Sequence, residues 1–268
     1  MVKYTLSGFA DEISDDLNTQ LLAHKKLGFK RIELRKTSGK EITDLSGAEV
    51  AETFRLTRFH KIRPYSIGSP IGKISLDDDI DAHFELARRA CHITQVLGGK
   101  ILRVFSFYPR ENKAFDSSDR DKIVDFLKKL ADIAHFYRIT ICLESGKGLY
   151  GDSPEKMKEL LDLVNMDKLR CAFDMATFAE NGHDPMEAFE LLRDYVMYFH
   201  VRDVDENGKN VQLGNGIAKI PEILKAYSDS KEGGETFVAI KPNLTDSADP
   251  TGEYITAAEK LKSITENI

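Results

Sequence analysis

Several polar residues stand at the ends of short apolar runs, where a buried strand would deliver them to a surface. Glu144 follows ITICL, Asp174 follows RCAF, His200 follows YVMYF and Lys241 follows FVAI. Glu33 lies in RIEL, Ser66 and Ser69 in SIGS, and Arg103 in ILRV. Two carboxylates and an imidazole are ligand types that zinc, manganese or cobalt accept while keeping positions open for a substrate. The same groups can move protons, and a lysine or arginine can hold an oxygen that becomes negative. Strand ends commonly meet water, so solvation alone explains any one of these residues. Three on consecutive runs are harder to explain that way.

Such a grouping needs a fold that gathers distant strand ends at one place. Residues 4–8 read as a strand, after which Ile13, Leu17, Leu21, Leu22 and Leu27 repeat at helical spacing up to Gly28. The pattern returns as a strand over 31–34 with a helix near 46–60, then 65–68 with 80–97, and 101–107 with 119–137. It continues as 139–143 with a helix from Ser153, 169–173 with one from Pro185, 198–201 with 217–227, and 237–240 with 252–265. Units of roughly 30 to 40 residues suit parallel strands joined by crossover helices and functional loops. A doubly wound open sheet shares that local pattern. Eight successive units without a glycine-rich dinucleotide turn after the first strand predict instead a closed (β/α)8 TIM barrel. Neither a linker nor a low-complexity tract divides residues 1–268, so one domain is expected, with a loop over 203–216. In a barrel the C-terminal strand ends face one shared mouth.

Composition narrows the partners. Thirty-eight Lys and Arg against 44 Asp and Glu give a net charge of −6, which supplies no basic excess for a phosphate backbone, so no nucleic-acid partner is expected. Cys91, Cys142 and Cys171 have neither the even count of a disulfide framework nor the close spacing of a zinc site, which fits a reducing cytoplasm. Acidic residues interrupt the N-terminal segment, and no later stretch is apolar over the ~18 residues of a membrane span, so no membrane partner is expected. A homo-oligomer is compatible with everything in the sequence.

Other motifs carry less. GSPIGKI at 68–74 resembles a phosphate loop, but its glycines are too close together and Ile74 stands where a magnesium-binding hydroxyl belongs. Lys73 within it could meet a sugar phosphate, or be simply solvated. Asp77, Asp78 and Asp79 precede a helix, where negative charge complements the helix dipole. Cys142 and Cys171 read as core residues, and Lys128 and Lys129 as a solvated helix face.

With these residues the chain resembles the sugar phosphate isomerase/epimerase family with the xylose isomerase-like TIM barrel, a group that includes relatives of endonuclease IV. The resemblance rests on FADEI at 9–13, RIELR at 31–35, SIGSPIGKI at 66–74, RVFSFY at 103–108, LES with GKGLYGD at 143–152, FDMATF at 173–178, FHVRD at 199–203 and IKPNL at 240–244. It implies a divalent metal (Mn, Co, Zn or Mg) held by Glu144, Asp174 and His200, with a glutamate from the eighth strand as fourth ligand. That glutamate is absent: Lys241, Pro242, Asn243 and Leu244 stand where the closest branch reads Glu-Pro-His-Leu. Thr177, Gly146, Arg202 and the run Gly214, Asn215, Gly216 also depart from that branch.

A divalent ion among three carboxylates and a neutral imidazole carries a net charge of about −1, as do Glu144 and Asp174 with a protonated Lys241. The ammonium is therefore expected in the metal's place, and no metal cofactor is expected. The resemblance implies an isomerase or epimerase acting on a small sugar or sugar phosphate through an enediol. In that scheme Glu144 is the base, Lys241 steadies the oxyanion, and His200 orients the substrate. Glu33, Ser69, Lys73, Arg103 and Arg202 are the expected substrate contacts. The alternative is a non-catalytic, sugar-binding or regulatory barrel that has lost its metal. A Schiff base on Lys241 is disfavoured by the carboxylates expected beside it.

Overall fold

Eight parallel strands form the centre of the molecule, and the computed structural model describes all residues, 1–268. They are β1 (Lys3–Gly8), β2 (Arg31–Leu34), β3 (Arg63–Gly68), β4 (Ile101–Val104), β5 (Thr140–Glu144), β6 (Leu169–Asp174), β7 (Val196–Val201) and β8 (Glu235–Ile240). Hydrogen-bonded neighbours run in the order β1, β8, β7, β6, β5, β4, β3, β2, and β1 packs beside β2 to bring the sheet close to a closed barrel. Crossovers fed through right-handed helices produce this arrangement when every strand is followed by an amphipathic helix.

Nine helices surround it: α1 (Leu17–Lys26), α2 (Gly47–His60), α3 (Ile80–Leu97), α4 (Ser117–Phe136), α5 (Pro154–Val164), α6 (Met175–Glu180), α7 (Pro185–Leu192), α8 (Ile220–Asp229) and α9 (Pro250–Glu266). Their starts are written in the sequence. Ser46 and Glu49 form a capping box on α2, and Asp116 with Asp119 form one on α4. Ser153, Asp184 and Asp249 cap helices whose first residue is proline, a position where the missing N–H costs nothing. Asp79 caps α3, which accounts for one of the three consecutive aspartates, while Asp78 accepts from the Ser75 N–H and Asp77 from the Glu111 N–H. The inner faces of the helices and the outer faces of the strands share one apolar core that includes Leu21, Ile67, Leu127, Phe173 and Phe199. Each such side chain contributes about 1.5–3 kcal/mol on burial, which holds the helical ring against the barrel. All three cysteines are buried and free. No helix is long and apolar enough to cross a membrane.

Four local expectations change. The first helix starts at Leu17, capped by the Asp16 side chain, because Ala10–Glu12 form a separate 3-10 turn. The strand expected over 101–107 ends at Val104; Phe107 has a φ of 66°, and the amides of Phe105 and Phe107 bond to Ile71 and Gly72 instead of to a neighbouring strand. Helix α6 begins directly after β6, because Asp174, the last strand residue, is also the helix cap and accepts the Thr177 N–H. The segment 203–216 contains a short hairpin pairing Asp203 and Val204 with Val211 and Asn210. The buried Asp203 carboxylate then accepts the N–H groups of Gly214, Gly216 and Ala218, fixing the turn that follows.

Candidate active site

Strand periodicity builds the site. Successive side chains alternate between faces, so residues two apart share one. Inside the barrel Ile101, Cys142, Ala172, Tyr198 and Phe237 form a separate apolar layer. Two residues further along β4 to β7 stand Arg103, Glu144, Asp174 and His200, and four residues beyond Phe237 stands Lys241. The strand register sets Asp174 beside His200, and Glu33 on β2 beside Ser66 on β3. The apolar layer thus forms the floor on which a charged layer rests. Tyr198 links the two by donating its hydroxyl to Glu33 at 3.1 Å.

The charged layer is continuous. Lys241 Nζ is 2.7 Å from Glu144 Oε1 and 2.7 Å from Asp174 Oδ2. His200 bridges two glutamates, with Nδ1 2.8 Å from Glu144 Oε1 and Nε2 3.0 Å from Glu33 Oε2. Arg103 Nε lies 3.1 Å from Glu144 Oε2, an ion pair too poorly angled to be a hydrogen bond. Arg202 donates to Asp174, Thr177, Glu180 and Asn210. Phe9 packs edge-on against the His200 ring, with centroids 5.0 Å apart.

Charge states follow from these contacts. Burial alone would raise the Glu144 carboxyl, but Lys241, His200 and Arg103 outweigh it and hold the group well below the usual carboxylate range. Burial opposes ionisation of Glu33 and Asp174 too; His200 and Arg103 overcome it at Glu33, and Lys241 and Arg202 overcome it at Asp174. Burial would make the His200 ring neutral, yet Glu33 and Glu144 raise its pKa. Two carboxylates facing both ring nitrogens each need a donor, which the imidazolium supplies. Glu144, Asp174 and His200 also present possible ligand atoms within 4.8 Å of one another, a spacing that one metal ion could span.

Above this layer opens a cavity of about 420 Å3. Its lining holds six basic residues (Arg35, Lys73, Arg103, Lys147, Arg202, Lys241) against three acidic ones (Glu41, Glu144, Glu180), although the whole chain is acidic. At its edge Arg35 pairs with Asp11 at 2.7 Å and lies 3.6 Å from Glu12. Burial pushes the Glu12 carboxyl up to about 7 despite Arg35 and the Asn243 N–H that it accepts.

The structure therefore brings Glu144, Asp174, His200 and Lys241 together, with Glu33 and Arg103 in the same layer and Lys73 and Ser69 on the cavity wall. Four expected roles meet obstacles. Glu33 is 1% exposed and bonded to His200 and Tyr198, so it supports the layer and does not reach a ligand. Ser69 donates its hydroxyl to the Arg103 carbonyl at 2.6 Å, and four of the five N–H donors of Arg202 are taken by protein groups. Glu144 is engaged by three cationic groups, which makes it a weak base. Arg35, Glu12 and Glu180 are not among the site residues expected from the sequence; Arg35, directly after β2, pairs with Asp11 and Glu12, and Glu180 accepts from Arg202, directly after β7.

The sequence profile of the family described as xylose isomerase-like TIM barrel matches residues 21–255. A 3-dehydroshikimate dehydratase from Bacillus anthracis is 23% identical over 176 residues; the match covers 58% of this chain and 63% of that relative, so less than two thirds of its length is spanned. Among solved structures, the IOLI protein with a bound zinc atom superposes with a TM-score of 0.79 at 20% identity, covering 98% of each chain. A D-allulose 3-epimerase from Methylomonas sp., in complex with D-allulose, gives 0.76 at 19% identity, again covering 98% of each. At these identities the structural likeness is one of fold.

Proposed function

The chain belongs to the xylose isomerase-like TIM barrel family, and from that premise we propose that it is a metal-independent enzyme that removes a proton next to the carbonyl of a small sugar or sugar phosphate. The observation that carries this reading is the ammonium of Lys241, held 2.7 Å from both Glu144 and Asp174 at the floor of the cavity. An ammonium has three N–H donors, and two are spent on carboxylates. The third is left for a substrate oxygen. A carbonyl oxygen seated there becomes negative as the neighbouring C–H bond breaks, and a fixed positive charge lowers the barrier to that change.

A divalent ion does not fit this arrangement of side chains. Lys241 puts a positive charge within hydrogen-bond distance of two of the three candidate ligands, and both nitrogens of His200 face carboxylates. An incoming cation would meet like charge and find no free imidazole lone pair. We therefore assign no step to a metal.

Relatives named as an epimerase and a dehydratase support carbonyl-adjacent deprotonation as the common chemistry. An epimerase must break and remake a C–H bond, and a dehydratase must lose a hydrogen with a hydroxyl. The enediol or enolate leads to isomerisation when the proton returns to the adjacent carbon. The basic lining favours a substrate carrying an acid group.

The test is exchange of carbon-bound hydrogen with heavy water, using D-allulose, D-fructose 6-phosphate and 3-dehydroshikimate, with and without chelator. Exchange that survives chelation is the expected result. Exchange lost on chelation and restored by one equivalent of metal would overturn the metal-free reading. A second reading, a sugar-binding barrel without catalysis, is favoured by the full pairing of the charged layer, and binding without exchange would establish it.

A further inference from the structure

Of the six basic residues lining the cavity, Lys73 and Lys147 alone have no carboxylate partner, and Lys73, exposed at the mouth, is the one packed on an aromatic ring that it shares with Arg103. It forms no ion pair with a carboxylate, and its amine lies over the Phe105 ring, 4.2 Å from the centroid. The Arg103 guanidinium lies 4.5 Å from the same centroid. Both residues line the cavity that contains Lys241. Lys73 shares the cavity with the cations Arg35, Arg103, Lys147, Arg202 and Lys241 and with the carboxylates Glu41, Glu144 and Glu180, five cations to three anions.

Its position is built rather than loose. The loop 69–74 is stitched to the chain after β4: Phe105 N–H donates to Ile71 O at 2.8 Å, Phe107 N–H to Gly72 O at 2.7 Å, and Tyr108 N–H to Ile74 O at 2.9 Å. Gly72 has a φ of 83°, and a Cβ there would stand 2.1 Å from the Phe105 carbonyl, so only glycine allows the approach. His83 Nε2 accepts the Gly72 N–H at 2.8 Å from the other side. The SPIGK segment that fails as a phosphate loop thus serves to aim one amine into the mouth.

We propose that Lys73 is the base of this site, taking the proton from the substrate carbon while Lys241 holds the carbonyl oxygen. The C–H electron pair becomes the new C=C bond, the C=O π pair moves to oxygen, and the proton joins the neutral amine to give an ammonium. Return of that proton to the neighbouring carbon restores the amine, while the hydroxyl proton of the enediol passes from the other oxygen to the oxygen held by Lys241, so that the carbonyl has moved by one carbon. This rests on the deprotonation reading above, and supplies the base that Glu144 cannot be. An amine beside cations and without a carboxylate is the environment that favours the neutral form. The protein atoms packed around the amine, and then the Arg103 charge, push Lys73 down to about 8, although more than a third of the residue is exposed to solvent at the mouth.

The experiment compares the parent with Lys73→Met, Lys73→Arg and Lys73→Cys, using exchange of D-allulose, D-fructose 6-phosphate and 3-dehydroshikimate in heavy water. Circular dichroism checks that each variant folds. Lys73→Met should lose roughly 10²-fold or more in exchange, and Lys73→Arg should not recover it, because a guanidinium keeps its proton. Treating Lys73→Cys with bromoethylamine, which rebuilds an amine on sulfur, should restore exchange. In the parent the rate should rise with pH and level off above about 8. Recovery in Lys73→Arg would make the role electrostatic and overturn the assignment. Exchange at the parental rate in Lys73→Met would overturn Lys73 as base while leaving deprotonation intact. Absence of exchange in the parent with all three probes would overturn both.

Discussion

The two lysines of the mouth have the same side chain and opposite surroundings. Lys241 is locked between Glu144 and Asp174, in a layer where Arg103, His200 and Arg202 also meet carboxylates. Lys73, across the cavity, lies on an aromatic ring beside an arginine and has no anionic partner. One half of the site holds charge fixed, and the other holds a charge that can change. Acid–base chemistry needs both, because a proton acceptor must be free to switch while the group that steadies the product charge must not. Neighbours, rather than residue type, assign the roles.

The contrast breaks most visibly at Lys241. Lys241→Met would leave Glu144 and Asp174 without their shared cation, and removing one partner from a buried ion pair costs about 3–5 kcal/mol. Urea denaturation should show that loss. A change near zero would mean that Arg103, His200 and Arg202 already satisfy both carboxylates.

Lys241→Glu tests the same place from the opposite side. The variant restores the fourth ligand implied by the family resemblance and removes the competing ammonium. Titration with manganese, cobalt or zinc should raise its melting temperature, by about 2.7 kcal/mol of added stability at a hundredfold excess over the dissociation constant. The parent should not respond. An equal response in the parent would show that Lys241 does not stand in an ion's place.

Glu12 offers a smaller and pH-dependent effect. Its folded pKa of about 7 lies above the ordinary value of 4.5, so its stabilising contribution is complete below about 4.5 and is lost as pH rises through about 7. Glu12→Gln cannot ionise. The variant should therefore gain stability relative to the parent between pH 5 and pH 8, by at most about 3 kcal/mol, since one pKa unit is worth about 1.4 kcal/mol. His200, raised in the fold, remains in both proteins and cancels in the comparison. The depressed carboxyls Glu33, Glu144 and Asp174 act in the other direction, losing their contribution only as pH falls below the ordinary carboxylate range.

The sequence made the barrel and the charged layer legible for one reason: β-strands repeat every two residues, and a barrel sends every strand end to one face. Glu144, Asp174, His200 and Lys241 could be read together on that basis. Pairing inside the layer could not be read so, because it depends on side-chain reach across the barrel. Strand position makes Glu33 a candidate ligand contact, whereas its bonds to His200 and Tyr198 make it part of the supporting layer. Apolarity alone extends β4 through Phe105 and Phe107, but their amides serve the 69–74 loop. That loop is where periodicity has nothing to say, and it is where Lys73 acquires its surroundings.

The smallest expected effect sharpens the comparison most. The Lys73 amine donates no hydrogen bond and forms no ion pair, so Lys73→Met removes only a cation–π contact with Phe105 and retains an apolar stem on the same ring. Such contacts at exposed sites are worth about 0.5–1 kcal/mol, part of which the methionine side chain recovers through packing and sulfur–aromatic contact. Removal of one cation from a mouth that already holds Arg103, Arg35 and Lys241 also relieves repulsion. The two terms oppose, and the net change in unfolding free energy should lie within about 0.5 kcal/mol of zero. Urea denaturation of the parent and Lys73→Met at the same pH measures it. A loss above about 2 kcal/mol would show that the amine is anchored as firmly as Lys241, and the division into a fixed half and a switching half would fail.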